Sequence, residues 1–177
     1  FYGETYPFET QNNKLLKRLS LSDKKLFYIY FLMSSHLKYF KEASPVLTGE
    51  FEYFSLLGLK EYLGSKALLN IFGKNSTKLP SQFMGTEFER FSALAQIFKE
   101  QIIRTKDDFN KYSTGDGGID IIGTMDFHDN NSSRILISGQ CKCQVDWDTN
   151  RFSSAERSLQ GYMSITQPLI NFSFIPY

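Results

Sequence analysis

Two apolar segments, near residues 119–127 and 134–143, flank the polar run His128-Asp129-Asn130-Asn131-Ser132-Ser133. Turn formers between two apolar runs predict an antiparallel hairpin. Pairing about Asn130 and Asn131 sets Asp120 across from about Cys141. Alternation along the second strand puts Gln140 and Lys142 on one face and Cys141 and Cys143 on the other. A carboxylate, an amide oxygen and an ammonium then meet at one end of the hairpin. Such a set suits a hard cation and a water. Just upstream stands Gly115-Asp116-Gly117-Gly118. Gly117 and Gly118 supply positive φ and leave the backbone open to close approach. Asp116 reads best as a turn residue that accepts backbone hydrogen bonds.

The segment before this hairpin predicts helices. Leu15, Leu16 and Leu19 share a helical face over residues 12–20. Ser22 or Asp23 caps a second helix to about Ala43, apolar nearly all round at residues 26–33 and therefore expected to be buried. Pro45 is expected to end it. Two further apolar segments, 51–59 and 62–72, break near Gly64, and residues 73–80 read as a linker. A helix follows over 85–100, with Phe88, Phe91, Leu94, Ala95 and Phe98 on its core face. Thr86-x-x-Glu89 at its start is a capping box, which gives Glu89 a purely local use. A first, edge-type strand is expected within 101–112. Beyond the hairpin, Trp147 lies in a loop, Ser153-x-x-Glu156 caps a helix to about Ile165, and 169–175 reads as a last strand.

Composition narrows the function classes. Hydrophobic residues make up 41% of the 177, enough for a real core. Formal net charge is +1, so charge alone does not announce a nucleic-acid partner. Its distribution is uneven. Residues 1–80 hold 11 Lys and Arg against 7 Asp and Glu, and residues 81–177 hold 9 against 12. The positive half suits phosphate contacts, and bound metal would neutralise part of the acidic half. Only two cysteines and two histidines are present, too few for a zinc site. Cys141 and Cys143 are expected to be reduced thiols in a cytoplasmic protein. The longest apolar run is too short to span a bilayer. The chain opens on Phe1 and stops inside an apolar segment, so a piece of a longer protein is expected.

Three motifs in order carry a resemblance. Phe88-Glu89 lies near the start of a helix, Gly117-Gly118-Ile119-Asp120 leads into a strand, and Gln140-Cys141-Lys142 ends the next. Together they resemble the PD-(D/E)xK nucleases, and in particular the Mrr-like restriction endonuclease branch. The likeness covers about residues 85–177. Ile119 replaces the proline of the family's name, and Gln140 replaces the strand acid.

The resemblance implies an α/β fold with a restriction-endonuclease-like α-β-β-β-α-β core over residues 81–177. A mainly helical region, residues 1–80, would form an interface or contact DNA. Asp120 would be the main metal ligand, joined by the Gln140 amide oxygen, the Cys141 carbonyl and Glu89, with Glu87 as the fallback. Lys142 would orient the attacking water. The cofactor would be Mg²⁺, with Mn²⁺ able to substitute. The implied activity is a metal-dependent endonuclease acting on DNA, the cutting module of a bacterial restriction or anti-phage protein. Such a module works with a sensor domain or partner and as a homo-oligomer, with no membrane part. The alternative is a nucleic-acid-binding module or assembly subunit that keeps the fold without cutting.

Overall fold

The computed structural model describes residues 6–17, 22–73, 76–109, 115–125, 127, 134–143 and 155–176. It opens with a hairpin, β1 (Phe8–Gln11) and β2 (Lys14–Lys17), where a helix over 12–20 was predicted. Asn12 and Asn13 form its turn at φ 51° and 59°. Asparagine tolerates this left-handed conformation better than most residues, and two in succession suit the tight turns of hairpins.

Helix α1 (Asp23–Ser34) starts at Ser22, although the Ser22 side chain makes no capping bond. The helix stops well short of Ala43. It is not buried as its composition suggested, for Leu26, Phe27 and Leu32 are exposed. It lies along α2 (Ser44–Leu63), with Phe27 against Phe54 and Phe31 against Phe51. Pro45 begins α2 rather than ending α1. In the first turn of a helix a missing N–H costs nothing and a fixed φ helps. Gly64, at φ 76°, ends α2.

The predicted helical segment 62–72 is instead divided between the end of α2 and strand β3 (Ala67–Ile71). Helix α3 (Glu87–Phe98) follows, its start fixed by the Thr86–Glu89 capping box. The predicted hairpin forms as β5 (Ile121–Met125) and β6 (Ile135–Cys141). Helix α4 (Ala155–Tyr162) and β8 (Leu169–Phe174) complete the main elements. A two-residue ribbon pairs β4 (Gln101–Ile102) with β7 (Met163–Ser164). The strand expected in 101–112 therefore does not join the main sheet.

The main sheet has the order β3-β5-β6-β8. β5 runs antiparallel to both neighbours, and β8 runs parallel to β6. The sheet draws its strands from both sides of residue 80. Ile121 and Ile137 pack with Leu56, Leu59, Leu69 and Ile71, on the α2 side. Ile122 and Leu136, one residue along, pack with Phe91, Leu94, Phe98 and Leu159 on the other. Neighbouring strand residues face opposite ways, so the fold is a mixed α/β arrangement with helices on both sheet faces. Among the described residues, no helix is long and apolar enough to cross a membrane.

Candidate metal centre

At one end of the sheet, three segments converge on Asp120. The Asp120 carbonyl accepts from Phe72 N at 2.7 Å and Gly73 N at 3.0 Å, and its amide donates to Gly139 O at 2.9 Å. Ile121 pairs with Gly139, so the register falls within one residue of the expected one. Its carboxylate Oδ2 accepts from Cys141 N at 2.6 Å. Asp120 leads into β5 through the turn 115–120. Gly117 and Gly118 adopt φ of 63° and 73° there, and Asp116 Oδ1 accepts from Gly118 N at 2.9 Å. The turn thus uses its glycines and Asp116 as the sequence predicts.

The second carboxylate comes from a residue the sequence reading passed over. Glu52, on α2, is only 4% exposed, and its Oε2 has no hydrogen-bond partner. A Cβ added at Gly73 would lie 2.7 Å from Glu52 Oε2 and 3.1 Å from Asp120 Oδ1. Two carboxylate oxygens thus border one small space that only glycine leaves open. Burial, then the charges of Asp120 and Asp116, push the Glu52 carboxyl up to about 8. Burial likewise pushes Asp120 up to about 7, against the opposing pull of the Cys141 N–H. A buried carboxylate without a donor is costly unless a proton or a cation neutralises it. The signal for Glu52 lay in its helical position. It occupies the stripe of Ser55, Leu56 and Leu59, three, four and seven residues on, where an acid has no business in a plain core.

Lys142 follows β6, half-buried, and its amide donates to Phe174 O at 2.8 Å. Burial lowers its ammonium pKa while the Asp120 carboxylate acts to raise it. Gln140 donates through Nε2 to Gly118 O at 2.6 Å, so the amide is oriented against the glycine turn and its Oε1 is the remaining acceptor. Cys141 turns its side chain to the α2 side, where Ser55 bonds it. Both cysteines are free thiols. Burial raises Cys141 well above the ordinary thiol value and Cys143 to about 12.

Glu89 lies elsewhere in its bonding. It is exposed, and its Oε2 accepts from Thr86 N at 2.8 Å and Thr86 Oγ1 at 2.9 Å. These bonds hold its carboxyl below the usual range. Glu87 is buried and accepts from Tyr162 Oη at 2.5 Å. The next residue to reach toward the site from α3 is Arg90. Trp147, Arg151, Asp126, His128 and Asp129 lie outside the described residues, as does the side chain of Arg157.

The donor set is hard. Glu52 and Asp120 offer carboxylate oxygens, and Gln140 and the Cys141 carbonyl are the neighbouring neutral oxygens. Among the described residues no group of three or more His, Cys, Asp or Glu is placed to hold a metal. Mg²⁺ keeps several waters and takes one or two carboxylates from a protein, a number that Glu52 and Asp120 can supply. No family model, no characterised protein and no solved structure gives a match to this chain.

Proposed function

We propose that the chain is a Mg²⁺-dependent endonuclease that hydrolyses phosphodiester bonds in DNA. The observation that carries this reading is the meeting of Glu52 and Asp120 at Gly73, with Lys142 electrostatically coupled to Asp120. Asp120 and Glu52 would hold the cation, with Gln140 and the Cys141 carbonyl as neutral oxygens beside it. A cation there would supply Lewis-acid chemistry, polarising a phosphate oxygen and acidifying a water. Lys142 orients the attacking water and stabilises charge that develops on the phosphoryl oxygens. Room for the phosphate backbone lies at Gly118, where a Cβ would meet only the Gln140 amide, whereas Gly117 packs against Phe91, Ser158 and Tyr162.

The order of elements also supports the reading. With α3 and β4 set between β3 and β5, and β7 before β8, the elements α2, β3, β5, β6, α4 and β8 keep the α-β-β-β-α-β order that the nuclease resemblance implies. Its members differ from those expected, with α2 in the place of the helix at 85–100 and β3 in the place of a strand at 101–112. By the same resemblance, the chain is the cutting module of a bacterial restriction or anti-phage protein. It acts in the cytoplasm with a sensor domain or partner and as a homo-oligomer.

The neutral Gln140 favours one rival, a module that binds nucleic acid without cutting it. Plasmid cleavage with Mg²⁺ or Mn²⁺, against EDTA, separates the two. Nicking or linearisation should require metal and disappear in Asp120→Ala. Lys142→Ala should slow it by about a hundredfold, the scale of a lost charge-stabilising group. Calorimetric titration with Mn²⁺ should show a site that Asp120→Ala removes. Metal-independent DNA binding, with no Mn²⁺ site dependent on Asp120, would establish the rival instead.

A further inference from the structure

We infer that Arg90 is a positioning residue for the metal centre, an inference that rests on the nuclease reading above. Arg90 stands one turn into α3 and is only 2% exposed. Its Nη2 donates to the Phe72 carbonyl, and its Nη1 donates to the Gly115 carbonyl at 3.5 Å. Those two acceptors belong to the two backbone segments that frame the site. The Phe72 carbonyl is part of the peptide unit joining Phe72 to Gly73, and the amides of both residues hold the Asp120 carbonyl. Gly115 begins the turn that delivers Asp120. One guanidinium therefore fixes the Gly73 wall, against which Glu52 and Asp120 lie, and the entry to the Asp120 turn.

The surroundings show why an arginine is needed. Its planar fork can reach two carbonyls in different directions, which a lysine's single ammonium does poorly. Burying the charge is offset by the carboxylates of Glu87 and Asp116, both of which act on it. The guanidinium also packs over the Phe72 ring, its carbon 4.7 Å from the ring centre. Glu87 is in turn bonded by Tyr162, so the support reaches from α3 to α4. None of these contacts places Arg90 on the cation itself. Its effect on the reaction must pass through the positions of Glu52 and Asp120.

The test compares the 177-residue wild type, Arg90→Lys and Arg90→Met by Mn²⁺ calorimetry and by the Mg²⁺ dependence of plasmid cleavage. Leu94→Ala, a core change on the same helix, controls for lost stability. Arg90→Met should weaken Mn²⁺ binding at least tenfold and raise the half-saturating Mg²⁺ by a similar factor. The rate at saturating Mg²⁺ should fall by much less. Arg90→Lys should lie between. If Arg90→Met does not fold, Arg90→Lys alone decides, through at least a threefold weakening. Leu94→Ala should leave metal affinity unchanged at an equal loss of Tm. Folded Arg90 variants with wild-type metal affinity, or a Leu94→Ala variant that loses affinity equally, would overturn the role. A wild type that neither binds Mn²⁺ nor cuts would overturn the nuclease reading, and this role with it.

Discussion

Burial, then the charges of Asp120 and Asp116, push the Glu52 carboxyl far above its ordinary range, and its Oε2 meets no donor. Its folded pKa of about 8 stands above the unfolded value near 4.5, so the folded chain holds the proton more tightly. Its contribution to stability is complete below 4.5 and is lost as pH rises through about 8. Asp120, raised from 3.8 to about 7, acts in the same direction. Urea unfolding in EDTA should therefore show stability falling between pH 5 and pH 8. The change should be on the order of a few kcal/mol, the scale that such shifts allow. Glu52→Gln should flatten that slope and be the more stable protein at pH 8 without metal. The same variant should gain less from added Mn²⁺ and lose cleavage. A wild-type slope that Glu52→Gln leaves unaltered would show that Glu52 is not the group responsible.

Among the elements, α3 offers the clearest separation of architecture from chemistry. Thr86 and Glu89 satisfy each other's backbone donors, so Thr86→Ala should cost about 1 kcal/mol and Glu89→Ala should also lower stability. The double variant should cost less than the sum, because the two bonds are reciprocal. Metal affinity should be unchanged in all three, and a Glu89→Ala variant that loses Mn²⁺ binding would return that carboxylate to the site. The elements legible from sequence were those with strong local signals. The β5–β6 hairpin, α3, α4 and β8 each carry a periodic apolar pattern bounded by caps or turn formers. Asp120, Gln140 and Lys142 followed from that hairpin because its register follows from where the turn residues lie. The failures have equally local causes. Asn12-Asn13 is a turn signal that the helical spacing of Leu15, Leu16 and Leu19 hides. Pro45 was read as a stop where it is a start. The short apolar run at 67–71 fits helix or strand until its partner Ile121–Met125 is known. Glu52 was missed because nothing near it in sequence belongs to the site.

For the whole molecule, the division at residue 80 has a sharp consequence. β3 is the edge strand beside β5, and α2 covers one sheet face with Leu56 and Leu59. A chain of residues 81–177 alone loses these elements, Glu52 and the Phe72–Gly73 segment. It should show no cooperative thermal transition and no Mn²⁺ binding, whereas residues 1–177 should show both. A folded, metal-binding 81–177 fragment would mean that the second half is self-sufficient.

The bond from the Lys142 amide to the Phe174 carbonyl also says something about synthesis. Glu52, Asp120 and Lys142 lie far apart along the chain, and the Lys142 amide gains its Phe174 partner once β8 has been made. A nascent chain carries every chemical group of the site long before it can assemble them. Contacts of such long sequence separation form late and slowly. The proposed centre would therefore be complete only after β8 has been made.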